Sequence, residues 1–306
     1  MIFAGILHQG MAMFTRIAPL LFVLLWSSSF IAAKVGLRYL SPLLFVAVRL
    51  AGCAAVLLAL MFLLRRSWQP LGRWRWLHCA TAGALVNAIG LMAPHVGLLM
   101  APAAQVALVQ SLTPLLTAAL GTVLLHERLL TSQWLGLLLG LAGVSLVVGE
   151  AVLESAARFE GLLLAFVGVV SLVAGTVYFG RFCRGVPLLP GATAQFLAAA
   201  TVAALGAWLL ETPRADFTPA AIAAVAWNTA LVSLGGMGLY FAMLARGSAA
   251  RTTANFYLVP GTAAVLAWAL LGEQLDLLAL VGLAVASLGC WLVNVAPTPA
   301  KHRQVR

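Results

Sequence analysis

The 306-residue sequence is poor in charged residues, which make up only 8% of the chain. Soluble domains carry about 25% charged residues, so this chain cannot cover a surface in water. Its hydrophobic content of 63% indicates that a lipid bilayer is the solvent. The net charge of +10 does not indicate a nucleic-acid partner, because the basic residues are scattered singly between apolar runs. We therefore predict a membrane protein that binds no nucleic acid.

The sequence also lacks the clusters that enzymes and metalloproteins need. Its four cysteines have unrelated spacings, and its five histidines lie on different segments. The motifs G-x-S-x-G and H-E-x-x-H and a phosphate-binding loop are missing. All eight acidic residues lie in loops or at the ends of apolar runs. These absences predict no catalytic residue, no metal site, no cofactor and no enzymatic activity.

Ten apolar runs are each long enough to cross a bilayer as a helix of about 20 residues. The runs are Ile17–Tyr39, Pro42–Leu64, Trp74–Leu98, Ala101–Leu125, Gln133–Gly149, Glu160–Phe182, Gly191–Leu210, Pro219–Ala245, Arg251–Leu271 and Leu277–Val295. The breaks between them are short and leave little room for a soluble domain. The sequence therefore predicts an all-α polytopic membrane protein with ten transmembrane helices.

The second half of the chain repeats the pattern of the first at a distance of 146 residues. Pro114 pairs with Pro260 and Glu127 pairs with Glu273, and no gap is needed. Repeats of five helices each insert in opposite directions, because five is an odd number. Inverted repeats are typical of transporters whose site lies between the repeats near the membrane midplane, and their exchange of roles gives alternating access.

Positive charges in the loops predict the orientation. With a cytoplasmic N-terminus, 13 of the 18 Lys and Arg residues lie inside and three outside. We predict that both termini are cytoplasmic and that the chain has four parts. These are a cytoplasmic segment (1–16), two five-helix repeats (17–149 and 150–296) and a basic cytoplasmic tail (297–306). The first run also fits a cleaved signal peptide, but its removal would leave four helices in the first repeat against five in the second.

Several motifs resemble those of the EamA family of the drug/metabolite transporter superfamily. Within the first predicted helix, Trp26 is followed by small residues, Phe30 and Lys34. Ser41-Pro42 precedes Arg49 in the second helix, and the paired proline and glutamate motifs recur in both halves. The resemblance implies a ten-span carrier of a bacterial-type inner membrane, whose helices one, three, four, six, eight and nine line a central cavity. The second repeat departs from the pattern, because it has no counterpart of Trp26, Lys34 or Arg49.

The family resemblance, together with the inverted repeats, predicts a secondary transporter that exports amino acids or similar small metabolites. A drug or toxic-compound efflux carrier of the same fold is the alternative, and a non-transporting sensor or assembly subunit is a third class. The partners we predict are a small-molecule substrate and the lipid bilayer. Small residues on helices five and ten are suited to close helix contact within one chain or in a homodimer, so monomer and homodimer both stay open.

Ionisable groups within membrane spans are functional candidates, and Lys34 and Arg49 are the clear ones here. Lys34 lies two helical turns after Trp26 on the same face, where its ammonium could hold a carboxylate. The alternative for Lys34 is a side chain that extends to the outer headgroups. For Arg49 we expect structural pairing.

The remaining candidates lie on the predicted lining helices. A few polar groups on an apolar wall suit a small-molecule pocket. The predicted substrate-binding residues are Trp26, Lys34, Gln110, Tyr178, Trp227 and Asn255. His95 is a candidate for proton coupling, with a packing role as the alternative, so proton antiport and facilitated diffusion both stay open.

The repeated prolines and glutamates are the last candidates. Pro114 and Pro260 each remove a helical hydrogen bond, so they predict a hinge or a fixed kink beside the site. Glu127 and Glu273 predict structural ion pairing at helix ends, with a gating ion pair as the alternative.

Overall fold

A computed structural model describes residues 2–64, 71–113, 116–117, 120, 130–246, 255–273 and 277–295. Nearly all of these residues are helical. The helices are α1 (Ile2–Gly36), α2 (Pro42–Leu63), α3 (Arg73–Gly97, π-helical over Ala84–Ile89), α4 (Ala103–Gln110), α5 (Thr131–Glu154), α6 (Ala156–Phe182), α7 (Leu188–Leu210), α8 (Pro219–Ala226, the π-helical Trp227–Gly236, and Met237–Arg246), α9 (Val259–Leu271, after a 3₁₀ turn over Asn255–Leu258) and α10 (Leu277–Val295). Pro114 and Glu127 lie outside the described residues.

Six helices in the described part of the chain are long and apolar enough to cross a membrane: α1, α2, α3, α6, α7 and α8. Away from its ends, a helix satisfies its backbone hydrogen bonds internally, as the bilayer interior requires. The outward faces are apolar too, since Trp208 and Leu210 are 74% and 76% exposed. These features confirm an all-α polytopic membrane protein, whereas the full arrangement of ten spans stays a prediction.

The observed helix bounds depart from the predicted runs at several places, including the starts of α1 and α6. Helix α1 begins at Ile2 rather than at Ile17, because the apolar residues before Ile17 are compatible with a helix. Helices α5 and α6 are separated by Ser155 alone, where a longer polar break was expected. The Ser155 hydroxyl accepts a hydrogen bond from the Arg158 N–H at 3.0 Å and so caps α6 directly.

The two π-helical segments occupy corresponding positions in the two halves. Residues 84–89 of α3 correspond, 146 positions later, to residues 230–235 within the π-helical part of α8. A π-helical segment is rare and is frequently found at functional sites. The sequence pattern did not predict either segment.

Glycines allow several of the helices to approach closely. A Cβ atom added to Gly289 of α10 would overlap the Gly136 carbonyl oxygen of α5. A Cβ atom added to Gly97 of α3 would overlap the Gly161 carbonyl oxygen of α6. The predicted small-residue faces of helices five and ten therefore pack against each other within one chain.

One end of the bundle is clamped by a pair of loops, and we call it the Glu211 end. Glu211 accepts hydrogen bonds from the Ser41 hydroxyl at 2.7 Å and from two N–H groups in the first turn of α2, those of Leu43 and Leu44. Arg214 donates to the Leu37 carbonyl oxygen at 2.7 Å. These bonds join the α1–α2 loop to the α7–α8 loop. We call the opposite end the Tyr178 end.

Candidate functional site

A cavity of about 50 Å³ lies between the two halves of the chain. Its walls contain residues that are related by the 146-residue repeat. Three such pairs are Val86 with Val232, Asn87 with Ser233, and Leu91 with Met237. Trp26 and Leu172 form a fourth pair. The three first-mentioned pairs lie in or beside the π-helical segments of α3 and α8, so these segments shape the cavity wall.

A smaller cavity of about 20 Å³ adjoins the first one. The two cavities share Trp26, Arg49, Leu91 and Val232 as lining residues. The smaller cavity continues along α1 and α3 toward the Glu211 end, whereas the larger one continues toward the Tyr178 end. Arg49 therefore stands at the junction between the two cavities.

Arg49 is the buried cation of this site, with only 4% of its surface exposed. Its Nε donates to the Ser233 hydroxyl at 2.8 Å, which ties α2 to the π-helical part of α8. Within the described part of the chain, no carboxylate lies within ion-pair distance of Arg49, and neither Nη atom has a hydrogen-bond acceptor. The guanidinium thus brings a positive charge to the cavity without a visible counter-charge.

His95 and Gln110 line the smaller cavity together with Arg49. Both residues are more than 90% buried. The His95 Nδ1 atom lies 2.7 Å from the Leu91 carbonyl oxygen, and the imidazole stacks on the Phe45 ring. The His95 Nε2 atom is buried and has no hydrogen-bond partner among the described residues. An unpaired buried nitrogen next to a cavity marks a place where a polar ligand atom would be stabilised.

Trp26 belongs to an aromatic cluster on the wall of the larger cavity. Its ring meets the Phe256 ring edge to face at a centroid distance of 5.0 Å, and Phe22 and Tyr240 complete the cluster. Such edge-to-face pairs hold aromatic rings in fixed positions. The cluster offers an apolar wall next to the Arg49 guanidinium.

Lys34 lies outside both cavities and forms an ion pair with Glu273. The Lys34 Nζ to Glu273 Oε1 distance is 2.5 Å, and each side chain is 22% exposed. Glu273 directly follows Gly272, which ends α9 at a positive φ of 69° that glycine adopts without strain. The ion pair therefore joins α1 of the first half to the end of α9 of the second half, at the Glu211 end of the bundle.

The other predicted substrate-binding residues lie away from the two cavities. Tyr178 contacts His78 through its hydroxyl, 2.7 Å from Nδ1, at the Tyr178 end. Trp227 is 42% exposed and donates from Nε1 to the Ser28 hydroxyl. Asn255 is buried in the 3₁₀ turn before α9. The structure therefore brings Trp26 and Gln110 to the cavities, together with His95, but not Lys34, Tyr178, Trp227 or Asn255.

Pro260 lies in the first turn of α9, directly after the 3₁₀ turn. A proline in the first turn removes no intrahelical hydrogen bond, because the N–H groups there have no helical partner. The break in the helix is thus the 3₁₀ turn that precedes Pro260. Its function as a hinge stays a prediction.

Arg49 and Ser233 are two polar cavity residues that the sequence interpretation did not assign to binding. A buried arginine within an apolar helix was the available signal for Arg49. No comparable signal marks Ser233, whose position opposite Arg49 depends on the π-helical geometry of α8.

These features define a class: a multi-pass helical membrane protein with a small mixed polar and apolar cavity enclosed by both of its halves. The EamA-like transporter family matches residues 13–149 and again residues 159–295. The first and last residues of the second match each lie 146 positions after those of the first match, which is the repeat distance. The chain therefore belongs to the EamA-like transporter family.

The relatives agree with this assignment. The chain is 27% identical over 293 residues to the "Uncharacterized inner membrane transporter YedA" of Escherichia coli K12, with 92% of each chain covered. It is 30% identical to a "Probable terminal-alkyne amino-acid exporter" of Streptantibioticus cattleyicolor, covering 69% of this chain and 72% of that protein. A "Probable amino-acid metabolite efflux pump" of Salmonella typhimurium is 25% identical, covering 89% and 92%.

A solved crystal structure has the same fold, with a TM-score of 0.70 at 22% identity over 91% of this chain and 96% of that chain. Family, relatives and helices together identify a multi-pass inner-membrane transporter. This identification is consistent with the prediction that the protein is not an enzyme.

Proposed function

We propose that the protein is a secondary transporter that exports amino acids or similar small metabolites by alternating access. The observation that carries the proposal is the pairing of cavity residues across the 146-residue repeat. A cavity whose opposite walls come from equivalent positions lies on the pseudo-two-fold axis between the halves. A site on that axis can be opened to either side when the halves exchange conformations.

The helix contacts support ten spans in two inverted repeats, over residues 17–149 and 150–296. Helix α2 packs on α7 and α5 packs on α10, and each of these pairs joins equivalent helices of the two halves. Contacts of α3 with α6 have their counterpart in contacts of α8 with α1. The doubled family match has the same spacing.

The conformation is best described as closed on the outer side. With both termini in the cytoplasm, as the loop charges predict, the Glu211 end faces outward and the Tyr178 end faces inward. The Lys34–Glu273 ion pair then lies at the outer end, joining one half to the other. The larger cavity extends from Arg49 toward the inner end. A closed outer end and a cavity on the inner side fit a state that receives solute from the cytoplasm.

Efflux from proteoliposomes tests the proposal. Purified protein is reconstituted, the vesicles are loaded with radiolabelled amino acids, amines, nucleosides or cationic dyes, and efflux is compared with that from protein-free liposomes. We expect amino acids to leave faster with protein, and Trp26→Ala to slow this efflux because the aromatic wall is lost. Efflux of dyes alone would favour the drug-carrier alternative, and no protein-dependent efflux of any solute would refute transport. Repeating the assay with and without a pH gradient separates proton antiport from facilitated diffusion.

A further inference from the structure

We infer that Arg49 and His95 form the subsite for the head group of an α-amino acid, with the carboxylate on Arg49 and the ammonium on His95. This inference rests on the proposed function. It assigns the anion-binding role to Arg49 rather than to Lys34, whose ammonium is already engaged by Glu273.

The charge of Arg49 is not neutralised by any carboxylate among the described residues. A guanidinium that is 96% buried in the middle of the bundle is costly unless an anion compensates it. The described residues supply the Ser233 hydroxyl but no carboxylate. Neither Nη atom has an acceptor in the part of the chain that the structure describes, and a guanidinium presents them in a fork that matches the two oxygens of a carboxylate.

The two nitrogen atoms of His95 have different surroundings. Because a carbonyl oxygen only accepts hydrogen bonds, the Nδ1 atom that faces the Leu91 carbonyl carries the proton. In the neutral tautomer that carries this proton, the Nε2 atom is an acceptor, and it has no partner among the residues described. A donor is therefore required at this nitrogen, and the ammonium of a substrate is such a donor.

The sizes of the two cavities limit which part of a substrate each can hold. A cavity needs about 10–15 Å³ for one water-sized group, so the cavity of about 20 Å³ beside His95 has room for one such group, the ammonium, and the carboxylate lies at the junction of the two cavities by Arg49. The adjoining cavity of about 50 Å³ has the aromatic wall around Trp26. An amino acid with its head group at Arg49 and His95 would thus extend an apolar side chain toward Trp26.

Competition for counterflow of radiolabelled L-leucine tests this assignment. Leucinamide keeps the ammonium but has no carboxylate, and 4-methylpentanoate keeps the carboxylate but has no ammonium. With the wild-type protein, unlabelled leucine should compete about 10- to 100-fold better than either analogue, as expected for the loss of one charge-assisted hydrogen-bonded group.

Variants locate the two halves of the head group. Arg49→Gln should weaken the competition by unlabelled leucine by about 10- to 100-fold and leave the competition by leucinamide unchanged. The preference for a carboxylate would then disappear. His95→Phe keeps the ring that stacks on Phe45 but removes the acceptor, so it should abolish the preference for leucine over 4-methylpentanoate. Arg38→Gln, which changes an exposed arginine at the Glu211 end, is the matched control and should behave as the wild type.

The outcomes separate this inference from the proposed function. A wild-type protein that moves no solute refutes the proposed function itself. A wild-type protein that transports solutes but is inhibited equally by leucine and leucinamide refutes the carboxylate subsite, even if Arg49→Gln does not fold. Unchanged selectivity in a folded Arg49→Gln protein, judged by its size-exclusion profile, refutes the role of Arg49.

Discussion

The Lys34–Glu273 ion pair gives the most direct test of alternating access. Each side chain is 22% exposed, so the pair is neither fully solvated nor fully buried. Exposed pairs contribute at most about 1 kcal/mol, and breaking a fully buried pair costs about 3–5 kcal/mol. An intermediate value of about 1–2 kcal/mol corresponds to a change of about 5- to 30-fold in the population of the outward-open state.

The assay measures how fast a cysteine behind the ion pair reacts from outside. Ala33 lines the smaller cavity and is 1% exposed, so an Ala33→Cys thiol is protected while the outer end is closed. Lys34→Gln or Glu273→Gln in this background should raise the rate of labelling by an impermeant maleimide by about 5- to 30-fold. Arg38→Gln, which removes a neighbouring exposed charge, should leave the rate unchanged.

A double-mutant comparison decides whether the ion pair itself is responsible. If the pair is the relevant contact, Lys34→Gln combined with Glu273→Gln should label no faster than either single variant. The charge exchange Lys34→Glu with Glu273→Lys should restore protection in part. A gating role of the ion pair would be refuted if the single variants label at the wild-type rate. It would also be refuted if the double variant increases the labelling rate by the product of the two single increases.

Three further predictions concern packing, capping and thiol chemistry. Gly289→Ala should lower the free energy of unfolding in detergent by about 1–3 kcal/mol, because the added methyl overlaps the backbone of α5. Gly180→Ala is the control and should be neutral or slightly stabilising, because its added methyl meets nothing within 4 Å. Equal effects of the two substitutions would contradict the packing argument. Glu211→Gln should cost about 1–2 kcal/mol by the same measurement, since it weakens three hydrogen bonds to a carboxylate at the start of α2; an unchanged unfolding midpoint would contradict this. Burial, with neighbouring Cys79 as a second cause, raises the pKa of the Cys183 thiol to about 12, so Cys183 should react slowly with maleimide near neutral pH until the protein is unfolded, as mass spectrometry can measure.

The sequence predicted the helical class and the repeat distance, because these depend on local hydrophobicity and on spacing along the chain. The placement of Trp26 and Gln110 at the cavity followed from the lining helices that the family resemblance implied. The sequence did not predict the environment of Arg49. Helix α2 is apolar around its whole circumference, so no hydrophobic stripe indicates which face Arg49 occupies. The partner of Arg49, Ser233, is 184 positions away.

The sequence interpretation also placed Trp227 and Lys34 at the cavity, because both lie on helices that it expected to line the cavity. The structure places both residues elsewhere. Trp227 begins the π-helical segment of α8, where a spacing of 3.6 residues per turn no longer predicts the facing of a side chain. Lys34 lies on the expected helix, but its carboxylate partner comes from a residue 239 positions later. Long-range pairing of this kind has no signature in the sequence around either residue.

The asymmetry of the repeats has a consequence for the transport cycle. The positions equivalent to Arg49 and Trp26 are Gln195 and Leu172, so the cation and the indole come from the first half alone. Under the proposed assignment, the head group of a substrate stays bound to α2 and α3 of the first half in every conformation. Movement of the second half then changes the Arg49–Ser233 hydrogen bond, the apolar wall and the outer contact between Lys34 and Glu273. Selectivity for the head group is therefore set by one half, whereas selectivity for the side chain depends on both and can differ between the inward-open and outward-open states.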